Sequence, residues 1–321
     1  MSMICLLKNN FCSLKRNWVY WLTYVVVFLY HFLLWTEGDM SYYRSTSSTP
    51  SDITMCIMSF AMILIFVLAA VIPFIVGTEF DGGVIRNKIM AGFSKMKIYM
   101  ATWITCLVAT LGLVIFNLVI TFIMFCMGQG TKNVITVLGY SYVSSSVIGS
   151  IVFLLVIAIG VMSFSCAVTY VIGKKAIAII ACIVIVYIGA IDPLALRAYA
   201  DDSPEYFTYI DYDTGIKKEV PNQFYLPAGS PLKKVVIALD SINVFETGLL
   251  IEDGYNFDII YIYDGKEVSG KDISGDEYKK MIEGPYGEKF EFNPKYICGA
   301  LAFSVLTTAG GIIIFKKRNI K

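Results

Sequence analysis

From Ile53 to Gly77 the chain runs 25 residues without one charged side chain, and such a stretch has few folds open to it. In lipid only a helix or a closed barrel satisfies its own backbone, and about 20 apolar residues in a helix cross the hydrocarbon. Comparable runs recur, at about Trp18 to Trp35, Ile98 to Gly128, Val147 to Ile172, Ala176 to Ile191 and Tyr296 to Phe315. The expected fold is therefore an α-helical polytopic membrane protein with six transmembrane helices. Composition agrees, since 57% of the 321 residues are hydrophobic and only 16% are charged, against roughly 25% charged in soluble domains.

Trp18, Trp21 and Trp35 fall where interfacial aromatics belong. The fifth run has only 16 uncharged residues between Lys175 and Asp192, so its flanking lysines are expected to snorkel. Asn133 to Gly173 is uncharged over 41 residues and has room for two spans. Parity of the charges favours one, with the serine-rich Gly139 to Gly149 as a partly buried or re-entrant approach to it.

With six spans and both termini cytoplasmic, 13 basic and two acidic residues lie inside, and 23 acidic and 13 basic outside. This is the asymmetry of an inside-positive topology, which a seventh span would break. The chain divides into a cytoplasmic segment 1–17, helices one to five over 18–191, an extracytoplasmic domain 192–295, a sixth helix 296–315 and a basic tail 316–321. The first run has the length of a signal anchor and no small-residue cleavage pattern, which points to a plasma or inner membrane.

Residues 192–295 hold 20 acidic and 11 basic side chains and no cysteine, and are expected to form a small α+β domain. Phe257 to Tyr263 followed by Asp264-Gly265 predicts a strand entering a hairpin turn, Val235 to Leu239 a second strand, and Asp276 to Glu283 a short helix. Asp211, Asp213 and Gly215 resemble part of a calcium loop, but the glutamate that closes such a loop is absent, so a solvated turn is the expectation and no metal is assigned.

Catalytic classes are largely excluded. His31 is the only histidine, so paired-histidine zinc sites cannot be built. Gly82-Gly83-Val84-Ile85-Arg86-Asn87-Lys88 follows a membrane span rather than a strand and lacks phosphate-loop spacing. No cofactor, catalytic residue or nucleic-acid partner is expected, and any ATP hydrolysis belongs to another chain. The spans carry no Asp, Glu, Lys or Arg in their interiors, which argues against an ion-driven carrier. Cys106, Thr110, Asn117 and Thr121 share one helical face. That weakly polar stripe reads either as the lining of a translocation path or as hydrogen-bonding contacts between helices.

The polar segment Glu79 to Lys97 separates the second and third spans. Asp81 is expected to cap a helix over Gly82 to Ala91, Gly92 to stop it, and Ser94 to cap the third span. Its run from Thr78 to Lys95, with Ile85-Arg86-Asn87-Lys88 at its centre and Gly92-Phe93-Ser94-Lys95 at its end, resembles the segment after the second span in permease subunits of ATP-binding cassette (ABC) transporters of the type-2 exporter class. The last span with its tail, Gly310 to Lys321, and Asn293-Pro294-Lys295-Tyr296 before it are similar to that class as well. The resemblance implies a permease that pairs with a second copy or a sister permease and with a separate ABC ATPase subunit. Segment 78–97 would be the coupling segment, with Arg86, Asn87 and Lys88 at the ATPase and Glu79 and Asp81 fixing the helix start. Thr110, Asn117 and Thr121 are candidates for the path. The large insertion before the sixth span departs from the simplest members, where a short re-entrant turn is usual. A membrane-anchored sensor or binding protein acting through its extracytoplasmic domain is the alternative.

Overall fold

The structure, a computed structural model, describes residues 2–36, 50–139, 141–191, 199, 205–210, 217–223, 225–227, 229–245, 257–263, 266–269 and 286–318. The helices are α1 (Met3–Arg16), α2 (Trp18–Thr36), α3 (Pro50–Asp81), α4 (Val84–Met90), α5 (Lys95–Gln129), α6 (Thr131–Leu138), α7 (Ser141–Ile172), α8 (Lys175–Ile191), α9 (Pro231–Ile242) and α10 (Pro294–Lys317). The strands are β1 (Tyr206–Ile210), β2 (Lys217–Pro221), β3 (Phe257–Tyr263), β4 (Lys266–Ser269) and β5 (Tyr286–Phe292).

The chain is a helical membrane protein. Among the described residues four helical stretches are long and apolar enough to cross a bilayer: Cys56–Asp81, Lys95–Gly128, Ser144–Ile172 and Pro294–Lys317. Trp18–Leu33 and Lys175–Ala190 are apolar but shorter. Helices α3 and α7 form the centre, burying Phe60, Leu64, Leu68 and Ile72 at four-residue spacing on α3, and Phe153, Ile157 and Val161 on α7. Large side chains left exposed, such as Leu29 and Phe32 on α2, Ile180 and Ile188 on α8, and Val305 and Leu306 on α10, suit a hydrocarbon solvent, where apolar exposure carries no penalty.

The serine-rich stretch after Gly139 is not a separate re-entrant element. It forms the first turns of α7, continuous with the fourth apolar run, with Ser146 and Ser150 turned inward. Helix α6 precedes it and stops at Gly139.

Between α8 and α10 lie a hairpin, β1–β2, and a three-stranded antiparallel sheet ordered β4-β3-β5. The hairpin expected after Phe257–Tyr263 is present, since Tyr263 pairs with Lys266 across two intervening residues. Val235 to Leu239, expected as a strand, belongs instead to α9. Ser230 caps that helix by accepting from Lys233 N at 3.2 Å, and Pro231 opens it. Lys233, Val236 and Asp240 bury one face at helical spacing, which a short apolar run cannot distinguish from a strand by alternation alone. The expected helix at Asp276 to Glu283 and the Asp211, Asp213 and Gly215 turn lie outside the described residues.

Helix α9 is not confined to a domain apart from the membrane helices. Its Asp240 accepts from Tyr296 Oη at 3.2 Å on α10, and the segment after it enters the bundle. Val244 packs on Gly160 of α7 and Phe245 on Gly189 of α8, with Phe245 also edge-on to Phe164 and Phe303. Asn243 Nδ2 donates to the Gly189 carbonyl at 2.9 Å. Glycines at these positions leave the space the wedge fills, and at Gly299 an added Cβ would lie 1.8 Å from the Ser241 carbonyl oxygen.

Candidate functional site

At one end of the bundle, here the basic end, five helices terminate within reach of one another. Asp81 at the end of α3 pairs with Lys175 at the start of α8 at 3.8 Å. Arg318, just past α10, donates to the carbonyls of Tyr170, Val171 and Ile172 at 2.7, 3.1 and 3.1 Å, covering the C-terminus of α7. Lys95 at the start of α5 donates to the Lys316 carbonyl at 3.1 Å. Cations at orphan carbonyls satisfy both the hydrogen bonds and the negative end of the helix dipole. Beneath them the Tyr170 ring is tilted against Tyr99, with centroids 4.7 Å apart, and edge-on to Phe315 and Phe80 at 4.6 and 5.3 Å. This aromatic cluster joins α3, α5, α7 and α10.

The segment expected as a coupling helix lies at this end, with different caps from those foreseen. Asp81 does not cap α4. It is the last residue of α3, whose hydrogen bonding continues to Gly82 N on the Thr78 carbonyl at 3.1 Å. The chain reverses at Gly83, whose φ of 65° is a left-handed conformation open to glycine, and α4 follows with no side-chain cap. It has seven residues rather than the ten expected. The stop is as foreseen. Gly92 takes φ 83°, Gly92 N bonds the Ile89 carbonyl at 2.9 Å and Phe93 N the Lys88 carbonyl at 3.2 Å, which is a Schellman ending. Ser94 caps α5 by accepting from Lys97 N at 3.4 Å.

Helix α4 has two faces. Inward, Ile85 is buried in the core and Lys88 Nζ meets Glu79 Oε2 at 2.9 Å, the two side chains only 7% and 10% exposed. Lys88 also donates to Asn10 Oδ1 at 2.8 Å. Thr102 Oγ1 lies 3.5 Å from Glu79 Oε2, receives Tyr170 Oη at 2.9 Å, and is approached by Asn10 Nδ2 at 3.4 Å. Five helices, α1, α3, α4, α5 and α7, thus share one buried polar network. A buried charge is costly unless paired and hydrogen-bonded, and each partner here is. Outward, Arg86, Asn87 and Met90 are exposed, and Arg86 has no ion pair among the described residues.

Of the three residues expected at the ATPase, Arg86 and Asn87 face out and Lys88 is turned into the protein; of the two expected to fix the helix start, Asp81 is half-exposed beside Lys175 and Glu79 is turned inward. Sequence reasoning missed Asn10, Thr102 and Tyr170 as the partners of that pair, and Arg318 and Lys95 as carbonyl clamps. One signal was legible: Leu6, Asn10 and Leu14 recur every four residues and are the buried face of α1, so Asn10 is a polar residue on an apolar stripe.

The α5 stripe is buried within this chain. Thr110, Asn117 and Thr121 are 0%, 0% and 2% exposed. Asn117 Oδ1 lies 2.7 Å from His31 Nε2 of α2. The Thr110 and Thr121 hydroxyls and Asn117 Nδ2 have no partner among the described residues. Thr121 borders an apolar cavity of about 150 Å³ with Ile57, Phe125, Val134 and Ile151. All eight cysteines are free, and no group of three or more His, Cys, Asp or Glu among the described residues is placed to hold a metal ion.

Comparisons with protein families, with curated proteins and with solved structures returned no match.

Proposed function

We infer that this chain is the membrane-spanning permease subunit of an ATP-driven exporter of the ABC type, crossing the bilayer six times and coupled to a separate ATPase subunit. The observation that carries the reading is α4: a short helix between two long apolar helices, pinned from within by the Glu79–Lys88 pair and presenting Arg86 and Asn87 outward. A part that must pass movement from a soluble partner to membrane helices has to be rigidly joined to them and free on its far side. The network meets the first condition, because a displacement of α4 pulls on Lys88 and hence on α1, α3 and α5 together.

Two further features support the six-crossing plan. Helices α2 and α8 run beside the four longer ones, and the fifth crossing, at about 24 Å for 16 residues, is completed by Lys174 and Lys175 at its basic end. The gathering of charged clamps at that end agrees with the inside-positive reading. A second permease copy or a sister permease completes the assembly, and the extracytoplasmic insertion sits on the exit side.

The test is a co-expression of the chain with the ATP-binding subunit of its host. Arg86→Glu should release that subunit, while Lys8→Glu, a charge reversal at an exposed position of α1, should leave it bound. Release by both variants, or by neither, would remove α4 from the contact.

A further inference from the structure

Where α1 gives way to α2 the bundle has a cleft of about 450 Å³, lined by Asn9, Ser13, Arg16, Trp18, Phe74 and Thr78 among others. It adjoins a smaller one of about 220 Å³ that shares Asn9, Ser13 and Thr78. The lining mixes polar and aromatic groups, the amide of Asn9, the hydroxyl of Ser13 and the guanidinium of Arg16 coming from α1, the indole of Trp18 from α2, and the ring of Phe74 and the hydroxyl of Thr78 from α3. Arg16 has no acidic partner among the described residues. The two nearby acids are already neutralised, Glu79 by Lys88 and Asp81 by Lys175, so the cleft faces its occupant with an uncompensated positive charge.

Its position adds to this. Asn17, in an extended conformation, separates an amphipathic helix ending in Lys15 and Arg16 from an apolar one that opens with exposed Trp18, Trp21 and Leu22. That is the pattern of a chain passing through the headgroup layer, where tryptophans concentrate. The N-terminus of α2 begins at the cleft with Val19 N held by Asn17 Oδ1 at 3.1 Å, and first-turn amides carry partial positive charge. Trp18 both lines the cleft and opens the exposed apolar surface of α2, with Trp21, Leu22 and Val25 after it, so a molecule lodged here has hydrocarbon beside it.

We propose that this cleft binds one anionic phospholipid of the surrounding bilayer, its phosphate at Arg16 and Ser13 and its acyl chains along Trp18 and the outer face of α2. The lipid would brace the junction of α1 and α2, and through Asn10 the network that holds α4. The proposal does not depend on the transport reading.

The experiment uses the full chain purified in mild detergent, titrated with phosphatidylglycerol and with phosphatidylcholine, counting bound lipid by native mass spectrometry. One phosphatidylglycerol should be retained per chain in preference to phosphatidylcholine. Arg16→Gln should weaken it about fivefold, the factor typical of one basic residue at an anionic surface, and Ser13→Trp should abolish it by filling the cleft with the charge kept. Lys8→Gln, an α1 cation outside the cleft, should change nothing. Both altered residues are exposed, so the variants should elute as the wild type does. Equal affinity for the two lipids, equal loss in Arg16→Gln and Lys8→Gln, or displacement by soluble glycerol phosphate would overturn the proposal. So would displacement of the lipid by a protein partner that buries Arg16.

Discussion

Replacing Lys88 with methionine removes the cation from a pair whose side chains are 7% and 10% exposed and leaves the Glu79 carboxylate buried without its counter-charge. Breaking such a pair on one side costs about 3–5 kcal/mol, and here the cost falls on the junction of α4 with α3, because Asn10 and Thr102 cannot supply a positive charge. The local measure is amide hydrogen exchange. Asn87, Ala91, Gly92 and Phe93 N–H groups are each bonded within the α4 turn, to Gly83, Asn87, Ile89 and Lys88 carbonyls at 2.9–3.2 Å. A loss of about 3 kcal/mol in opening free energy raises their exchange more than a hundredfold, while amides in the middle of α7 should keep wild-type rates. The double variant Glu79→Gln/Lys88→Met removes both charges and keeps a hydrogen-bonding side chain for Thr102. It should restore most of the protection, since a neutral replacement of a buried pair is often close to neutral in stability. Wild-type exchange in Lys88→Met, or a double variant as mobile as the single one, would refute the idea that this pair holds α4.

Three other outcomes follow from particular contacts. Arg318→Ala uncovers three carbonyls at the end of α7 and, because the side chain is only partly buried, should cost about 1–2 kcal/mol, read as a fall of several degrees in the unfolding midpoint in detergent. Gly299→Ala drives a methyl into the Ser241 carbonyl and should lower the midpoint markedly, whereas Gly310→Ala, which meets nothing within 4 Å on the same helix, should be neutral or slightly stabilising. Asn117→Leu breaks the contact to His31, and intramembrane polar contacts average about 0.6 kcal/mol, so its effect on the midpoint should be small. A large loss there would mean that the unpartnered hydroxyls of Thr110 and Thr121 depend on Asn117 as well.

The membrane helices were legible because uncharged length is nearly sufficient to specify them: the runs ending at Gly77, Gly128 and Ile172 all fall in long described helices. The glycine stop at Gly92 and the serine cap at Ser94 were legible for a similar reason, each being a local backbone requirement. The start of α4 was not. Asp81 is a good capping residue by type, but the apolar helix before it had a further turn to complete, and the reversal went to Gly83. Val235 to Leu239 failed because five apolar residues carry no period, and what decided the outcome was Ser230-Pro231 ahead of them and contact with α10 behind. The inward turn of Lys88 was hidden for another reason: its partner Asn10 is 78 residues away, and Thr102, which meets Glu79, lies 23 residues from that carboxylate, and nothing in their local sequence marks them as neighbours. Sequence showed a basic loop; only the packing sorted its charges into a buried anchor and an outward face.

That sorting changes which charge reversal is informative, since Lys88→Glu would disrupt the anchor whereas Arg86→Glu alters only the exposed face. The central claim is tested most directly by isolating the full chain from its own host in mild detergent, as wild type and as Arg86→Glu. An ATP-binding subunit should accompany the wild type in stoichiometric amount and be lost from Arg86→Glu at an unchanged unfolding midpoint. A wild-type preparation that brings down no ATP-binding subunit would contradict the account.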